Sequence, residues 1–358
     1  MAALSLRLRI CLALLVMVPV SLAAELLHWG ELAVFATAAA AIIPLAIWLS
    51  TATEEVALAL GPSLGALVSA LFSNATELII ALTALRAGLV EIVKASITGT
   101  VMANLLLVLG LAMAFGGIGR REQTFQPVLA RVNGSVMTLA VLAILLPSLS
   151  AVGSEAGGVL PLGFSRFVAG VLLAAYGLTL VFSLHTHREL YAVAEEDVSA
   201  VADHRPPLLP WLAVLLAATI GLALESELFV GVVEEVTAGF GLTPLFTGVV
   251  LLPLLGGVSE YLTAVSMARK NKMDLAVSIA LGSTLLVAML VVPILVLLGP
   301  LLGHPIDLDF QMVEVVAVIS AVAVSNLVSL DGRSDWLEGV LLLAAYLILA
   351  AAFYYQPG

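Results

Sequence analysis

Long, uninterrupted apolar runs decide what this chain can fold into. Stretches such as Leu105-Leu106-Leu107-Val108-Leu109 sit inside blocks of about twenty apolar residues, the length a helix needs to cross roughly 30 Å of hydrocarbon. Only 11% of the 358 residues are charged and 62% are hydrophobic. A soluble domain carries about 25% charged residues, so this chain cannot cover itself with a polar surface. The runs do not alternate, as the strands of a membrane β-barrel must. An all-α polytopic membrane protein follows, with the lipid bilayer as its first partner.

Dividing the chain at charged, glycine and proline breaks predicts about eleven spans. They lie near 6–24, 30–50, 61–85, 91–115, 129–149, 163–184, 209–230, 243–268, 274–299, 310–330 and 336–355. Lysine and arginine orient them. With the N-terminus cytoplasmic, Arg7, Arg9, Arg120, Arg121, Arg131, Arg188, Arg205, Arg269, Lys270, Lys272 and Arg333 fall inside, and Arg86, Lys94 and Arg166 outside. The expected topology is therefore N-in, C-out, in a plasma or inner membrane of prokaryotic type. The first run also fits a signal peptide, with Arg7 and Arg9 before it and Ala23-Ala24 at its end.

The one long polar stretch, His185 to Pro210, holds Glu189, Glu195, Glu196, Asp197 and Asp203 and closes on Pro206-Pro207. It reads as an acidic cytoplasmic linker near the midpoint. The expected division is an extra helix in 1–28, a five-helix unit in 29–184, the linker in 185–208 and a second five-helix unit in 209–358. Within the linker, His185-Thr186-His187-Arg188-Glu189 has metal-like spacing, but no further His or Cys joins it, so a solvated linker is the better reading. The lone Cys11 excludes an intramolecular disulfide and a thiolate cluster. A formal charge of −11 with no basic patch argues against nucleic acid. Trp48, Trp211 and Trp336 sit near span ends, as aromatic anchors do.

Self-comparison reveals an internal repeat. Ser-Asn-Ala-Thr-Glu-Leu-Ile-Ile-Ala around Glu77 aligns without a gap on Gly-Gly-Val-Ser-Glu-Tyr-Leu-Thr-Ala around Glu260. The register then pairs Arg86 with Arg269, Glu91 with Asp274, Gly99 with Gly282 and Thr100 with Ser283. An odd number of helices per unit makes the second copy enter from the opposite face, giving an inverted repeat with a site at the midplane. Glu77 and Glu260 should face each other there.

A carboxylate inside a span is costly and marks a cavity, a partner or an ion. Neither glutamate has a basic partner nearby in its own span: Arg86 and Arg269 are nine residues on, about 13 Å along a helix. Two facing carboxylates carry a charge that a divalent cation cancels. Hard cations such as Ca²⁺ want six to eight oxygens, and Asn74, Thr76, Thr100, Asn104, Ser259 and Ser283 can supply amides and hydroxyls. Gly99 and Gly282 would let helices approach or expose carbonyls. Without the cation, the pair takes up protons, and that mutual exclusion is the physical basis of antiport. Glu54, Glu55, Glu227, Glu234 and Glu235 lie near span ends, where they could form acidic vestibules. No resident cofactor is expected beyond the transported cation and H⁺, and a homo-oligomer is left open.

These residues resemble the Ca²⁺/H⁺ exchanger (CAX) family of the calcium/cation antiporter superfamily. The likeness rests on Gly61-Pro62-Ser63 through Asn74-Ala75-Thr76-Glu77-Leu78-Ile79, on Lys94 through Thr100 with Asn104 to Gly110, and on Ala130-Arg131-Val132-Asn133. The resemblance implies eleven helices, with Glu77 and Glu260 as cation ligands and proton carriers and Asn74 as a supporting ligand. The second signature departs from that family's Gly-Asn-Ala-Ala-Glu-His: Gly257 stands at the Asn, Tyr261 at the His, and Leu286 where the next helix commonly has Gln. The leading expectation is thus a proton-driven Ca²⁺ antiporter working by alternating access. Exchange of Na⁺ or Mn²⁺ for protons is the nearest alternative, and a cation channel with a carboxylate selectivity ring a more distant one. An enzyme is not expected: no His lies well inside a span beside these glutamates, and there is no Ser/Lys or paired-Asp signature.

Overall fold

The computed structural model describes residues 11–152, 162–186 and 206–356. The His185–Glu189 cluster and the acidic linker lie almost wholly outside the described residues, as do Arg7 and Arg9. What is described is helical except for one two-residue ribbon. In chain order the helices are α1 (Met17–Leu26), α2 (Glu31–Leu60), α3 (Pro62–Phe72) and α4 (Ala75–Arg86). Next come α5 (Val90–Gly117), α6 (Pro127–Val152), α7 (Leu162–Val181) and α8 (Leu208–Gly239). The remainder are α9 (Pro244–Gly256), α10 (Val258–Arg269), α11 (Met273–Leu302), α12 (Met312–Ser329) and α13 (Trp336–Tyr354).

Seven of these elements, together with the stretch Leu67–Arg86 that runs from α3 through α4, are long and apolar enough to cross a membrane, and the bent pair α9–α10 makes a ninth. The shorter apolar helices Cys11–Leu26 and Gly134–Leu149 fall where the first and fifth spans are expected. This is a multi-pass membrane protein. Its leucines obey lipid: Leu209, Leu301, Leu327, Leu347 and Ile348 are exposed, since in a bilayer apolar side chains need no protein cover. Burial is graded accordingly. The most apolar stretch of α5 is 83% buried and that of α11 56%, against 17% for α7 and 22% for α13. The two best-enclosed helices are the ones that carry Gly99-Thr100 and Gly282-Ser283.

The two halves repeat one order of elements. Each has a long helix (α2, α8), an interrupted one (α3–α4, α9–α10), a long enclosed one (α5, α11), then two more. The interruptions fall in register: Asn74 takes φ −112° and ψ 26°, and Gly257 takes φ −85° and ψ 11°. The second break bends the pair by 58°. The enclosed helices match too, since α5 widens to a π turn over Ala103–Val108 and α11 over Val287–Val291.

Two expectations are corrected here. The span near 243–268 is not one straight helix, because it bends by 58° just before Glu260, whereas the irregular turn at 73–74 leaves Leu67–Arg86 a single crossing. Helices α2 and α8 also run about ten residues past the expected ends, so Glu54, Glu55, Glu234 and Glu235 lie on helices rather than beyond them.

Polar contacts tie the ends. At one end Arg120 donates to the Arg269 carbonyl at 2.9 Å and Gln123 to that of Ala268 at 2.9 Å. The ribbon there pairs Gln123–Thr124 with Arg333–Ser334. That end gathers Arg120, Arg121, Arg269, Lys270, Lys272 and Arg333. At the other, Lys94 Nζ lies 2.7 Å from Asp307 Oδ1, and exposed Arg86 lies 3.8 Å from Glu227.

Candidate cation site

Glu77 and Glu260 occupy the first turns of α4 and α10, immediately after the two breaks. A break serves the site because the first N–H groups of a helix have no intrahelical acceptor, which makes a positive end where an anion is stabilised. Two such ends meet here. A Cβ on Gly256 would come within 3.1 Å of Glu77 Cγ, so the Glu77 side chain lies on the backbone of the opposite break. Glu260 in turn shares a cavity with Ser73, the residue that matches Gly256 in the repeat. Both glutamates are buried, at 8% exposure each.

All six supporting residues are buried too: Asn74, Thr76, Thr100, Asn104, Ser259 and Ser283. Their hydrogen bonds divide them. Ser283 Oγ accepts from Asn74 Nδ2 at 2.7 Å and from Asn104 Nδ2 at 3.0 Å, linking α4, α5 and α11. The π turn of α5 contains Asn104, and such turns recur at functional sites. Ser259 donates to Glu260 Oε2 at 2.9 Å, whereas Thr100 bonds the Ser96 carbonyl of its own helix at 2.9 Å. Asn74 stands at an N-cap yet does not cap, since its amide reaches across to α11. Three oxygens remain: both of Glu77 and Oδ1 of Asn74 are buried and accept no hydrogen bond. Buried oxygens in that condition cost free energy unless something positive meets them. Among the described residues no three of His, Cys, Asp and Glu converge, so a cation here would use two carboxylates and neutral oxygens.

A cavity of about 280 Å³ leads to the site. Ser50, Thr53 and Glu54 of α2 line it with Ser69 and Ser73 of α3, Thr263 of α10, and Ser278, Gly282 and Ser283 of α11. It extends toward the end that holds Arg269 and Lys270. Of the five vestibule candidates only Glu54 lines it. Glu227, Glu234 and Glu235 are on α8 and outside it, and Glu55, the neighbour of Glu54, is not in its wall.

The repeat exposes an asymmetry of access. Gly99 is jammed against the π turn of α9, where a Cβ would meet the Val249 carbonyl oxygen and carbon. Gly248 sits equally close to Ala95 and Ile92. Its register mate Gly282 meets nothing within 4 Å and forms part of the cavity wall. The expected close approach thus holds at Gly99 and not at Gly282.

Sequence reasoning missed a second polar cluster. A cavity of about 290 Å³ at the opposite end is lined by Glu91, Lys94, Leu245, Asp309, Phe310, Gln311 and Glu314. Glu314 is buried and accepts from Thr98 Oγ1 at 3.2 Å and from the Gln311 N–H at 2.9 Å. Burial pushes the Asp309 carboxyl above its ordinary range, with Lys94 opposing and Asp307 adding to the rise. Glu225, also missed, is fully buried with both oxygens 2.6 Å from Ser21 Oγ, which fastens α1 to α8. Neither glutamate has a partner in the repeat alignment, the signal that singled out Glu77 and Glu260.

The model of sodium/calcium exchanger proteins matches residues 30–185 and 210–355. The chain belongs to the sodium/calcium exchanger protein family. Within it, the chain is 49% identical over 361 residues to a Ca²⁺/H⁺ antiporter of Aphanothece halophytica, covering 96% of each. It is 40% identical to the Ca²⁺/H⁺ antiporter ChaA of Bacillus subtilis, covering 94% of this chain and 96% of that one. Among solved structures, native YfkE superposes with a TM-score of 0.83 at 36% identity, covering 98% of this chain and all of the other. The H⁺/Ca²⁺ exchanger CAX shares the fold alone, with a TM-score of 0.69 at 16% identity.

Proposed function

We propose that this chain is a secondary active transporter that exchanges cytoplasmic Ca²⁺ for protons, with Glu77 and Glu260 holding the cation and the protons in turn. The observation that carries the reading is the set of three unpartnered buried oxygens, on Glu77 and Asn74, with Asn74 and Glu260 both lining one cavity. A hard cation needs such oxygens, and the two-carboxylate charge cannot persist in a low dielectric without a cation or protons. One site therefore serves both ions, never together.

Glu77, Glu260 and Asn74 are the direct ligands in this scheme. Ser283 and Asn104 hold Asn74 in place, and Ser259 orients Glu260. Thr76 and Thr100 are buried outside the cavity wall and take no direct part. Glu54 draws cations into the cavity, while Glu55, Glu227, Glu234 and Glu235 contribute only to surface charge.

Alternating access follows from the glycines. With Gly99 sealed on Val249 and Gly282 open, the site communicates with one end only. Exchange of the two crossings would turn it to the other end. A channel needs both paths open at once, so the one-sided seal favours an antiporter. The basic loops at the cavity end support a cytoplasmic opening, hence N-in and C-out with eleven spans. The repeats would be 29–184 and 209–358, inverted, with 1–28 as an extra helix and 185–208 as linker. An inner or plasma membrane fits that orientation. The relatives carry out transport rather than catalysis, and no resident cofactor enters the scheme.

The test is ΔpH-driven Ca²⁺ uptake into everted vesicles, with Na⁺ and Mn²⁺ as competitors. Glu77→Gln and Glu260→Gln should each abolish uptake while the protein still elutes as a folded species. Normal exchange in either variant would overturn the mechanism.

A further inference from the structure

The repeat has one conspicuous mismatch at its centre, Asn74 against Gly257. Backbone conformation does not require the glycine: φ is negative at both positions, in the same region of the map. The reason is a neighbour. A Cβ at Gly257 would lie 2.9 Å from both Cζ and the hydroxyl oxygen of Tyr261 and 3.1 Å from the Pro253 carbonyl oxygen. The ring of Tyr261 therefore covers the place where the symmetry mate of Asn74 would begin. Its hydroxyl donates to the Pro253 carbonyl at 2.6 Å, and the same carbonyl accepts from the Gly257 N–H at 2.9 Å. The Gly257 carbonyl then accepts from the Tyr261 N–H at 3.1 Å. The break in α9–α10 is closed into a loop of three hydrogen bonds, and Glu260 is the residue just before the tyrosine.

The first half is built differently. There Leu78 holds the tyrosine position and its N–H still donates to the Asn74 carbonyl at 3.1 Å, but no hydroxyl clasp is possible, and the Asn74 side chain is fastened across the site to Ser283. The mate of Ser283 is Thr100, which has no amide to receive and turns to Ser96. One glutamate is thus positioned by a bond between helices and the other by a clasp within its own bent pair.

We infer that Tyr261 and Gly257 act as one positioning unit that fixes the 58° bend and with it the aim of Glu260, setting affinity for the cation. This rests on the antiporter reading above. A part-buried hydroxyl-to-carbonyl bond is directional, so it holds the helix start in one orientation where an aliphatic residue would not.

The experiment compares Tyr261→Phe, Gly257→Asn and the double variant Gly257→Asn/Tyr261→Leu, which copies the first half. Tyr261→Phe keeps the ring on Gly257 and removes the clasp. It should raise the KM for Ca²⁺ by about five-fold, the worth of one ordinary hydrogen bond, with kcat changed less. A merely structural role would lower the yield of folded protein and leave KM alone, and that result would overturn the inference. Gly257→Asn should lose most uptake through collision with the ring, and the double variant should regain it. Equal activity in the single and double variants would also overturn it. A second readout does not depend on the ion carried: Gly257→Ala should lower the melting temperature in the parent and not in a Tyr261→Leu background. Absence of that coupling sinks the inference even if transport is normal. Its presence in a protein that moves no Ca²⁺ would sink only the antiporter reading.

Discussion

Asn74 is where residue chemistry and site geometry meet. Its Nδ2 is committed to Ser283, which leaves Oδ1 buried without a hydrogen-bond partner. Asn74→Leu should therefore weaken Ca²⁺ binding more than any other neutral substitution at the site. Ser283→Ala and Asn104→Leu act through Asn74 by releasing its orientation, and each should cost about ten-fold in apparent Ca²⁺ affinity, as supporting groups around a metal commonly do. Because both act on the same amide, their double variant should cost much less than the product of the two losses. Titration of uptake against Ca²⁺ checks this, and strict multiplicativity would show that they do not share Asn74. Ser259→Ala should be milder still, since Glu260 keeps the positive helix start. The eight residues were legible in the sequence as oxygen carriers near two costly glutamates. The hydrogen bonds that tie Asn74 and Asn104 to Ser283, Ser259 to Glu260 and Thr100 to Ser96 were not legible, because they depend on which way each amide and hydroxyl points. Glu225 and Glu314 escaped for a related reason: each is satisfied by one distant hydroxyl or a helix start, and no local pattern announces that.

At the scale of elements, the all-helical, multi-pass character came from hydropathy, while the breaks at Ser73-Asn74 and Gly257 did not. Both lie within apolar sequence, and a hydropathy window averages over two or three non-helical residues. The π turns are invisible for the same reason: an extra residue per turn leaves composition unchanged. What the repeat register did mark is the pair of glycines whose surroundings differ most. Gly99→Val should misfold or abolish transport, because the obstructing atoms are the Val249 backbone and cannot swing aside. Gly282→Val meets open space and should fold with an unchanged melting temperature. It should nonetheless stop turnover, since a branched side chain would prevent that crossing from closing. A melting curve beside an uptake assay separates the two. A Gly282→Val protein that exchanges at the parent rate would mean the crossing never closes in the cycle.

At the scale of the whole molecule, the cavity that Glu260 lines sets a test of sidedness. Thr263 and Ser278 line the 280 Å³ cavity between the glutamates and the end that carries Arg269 and Lys270. In the repeat register Ser278 pairs with Ala95, and Ala95 with its neighbour Ser96 lies on the sealed crossing, where Gly248 leaves no gap. With Cys11→Ser as background, Thr263→Cys and Ser278→Cys should react with a membrane-impermeant maleimide in everted vesicles and not in right-side-out ones. Ser96→Cys should stay protected from both sides in the conformation described here. Imposing an opposite ΔpH with saturating Ca²⁺ should shift the populations, so that labelling at Ser278→Cys falls as labelling at Ser96→Cys rises. Alternating access requires those two changes to be reciprocal, because the crossings around Gly99 and Gly282 cannot both be open while the glutamates keep the gradients apart. Simultaneous labelling of both positions from both faces would instead describe a continuous pore, and the carboxylate pair would then have to be reread as a selectivity ring.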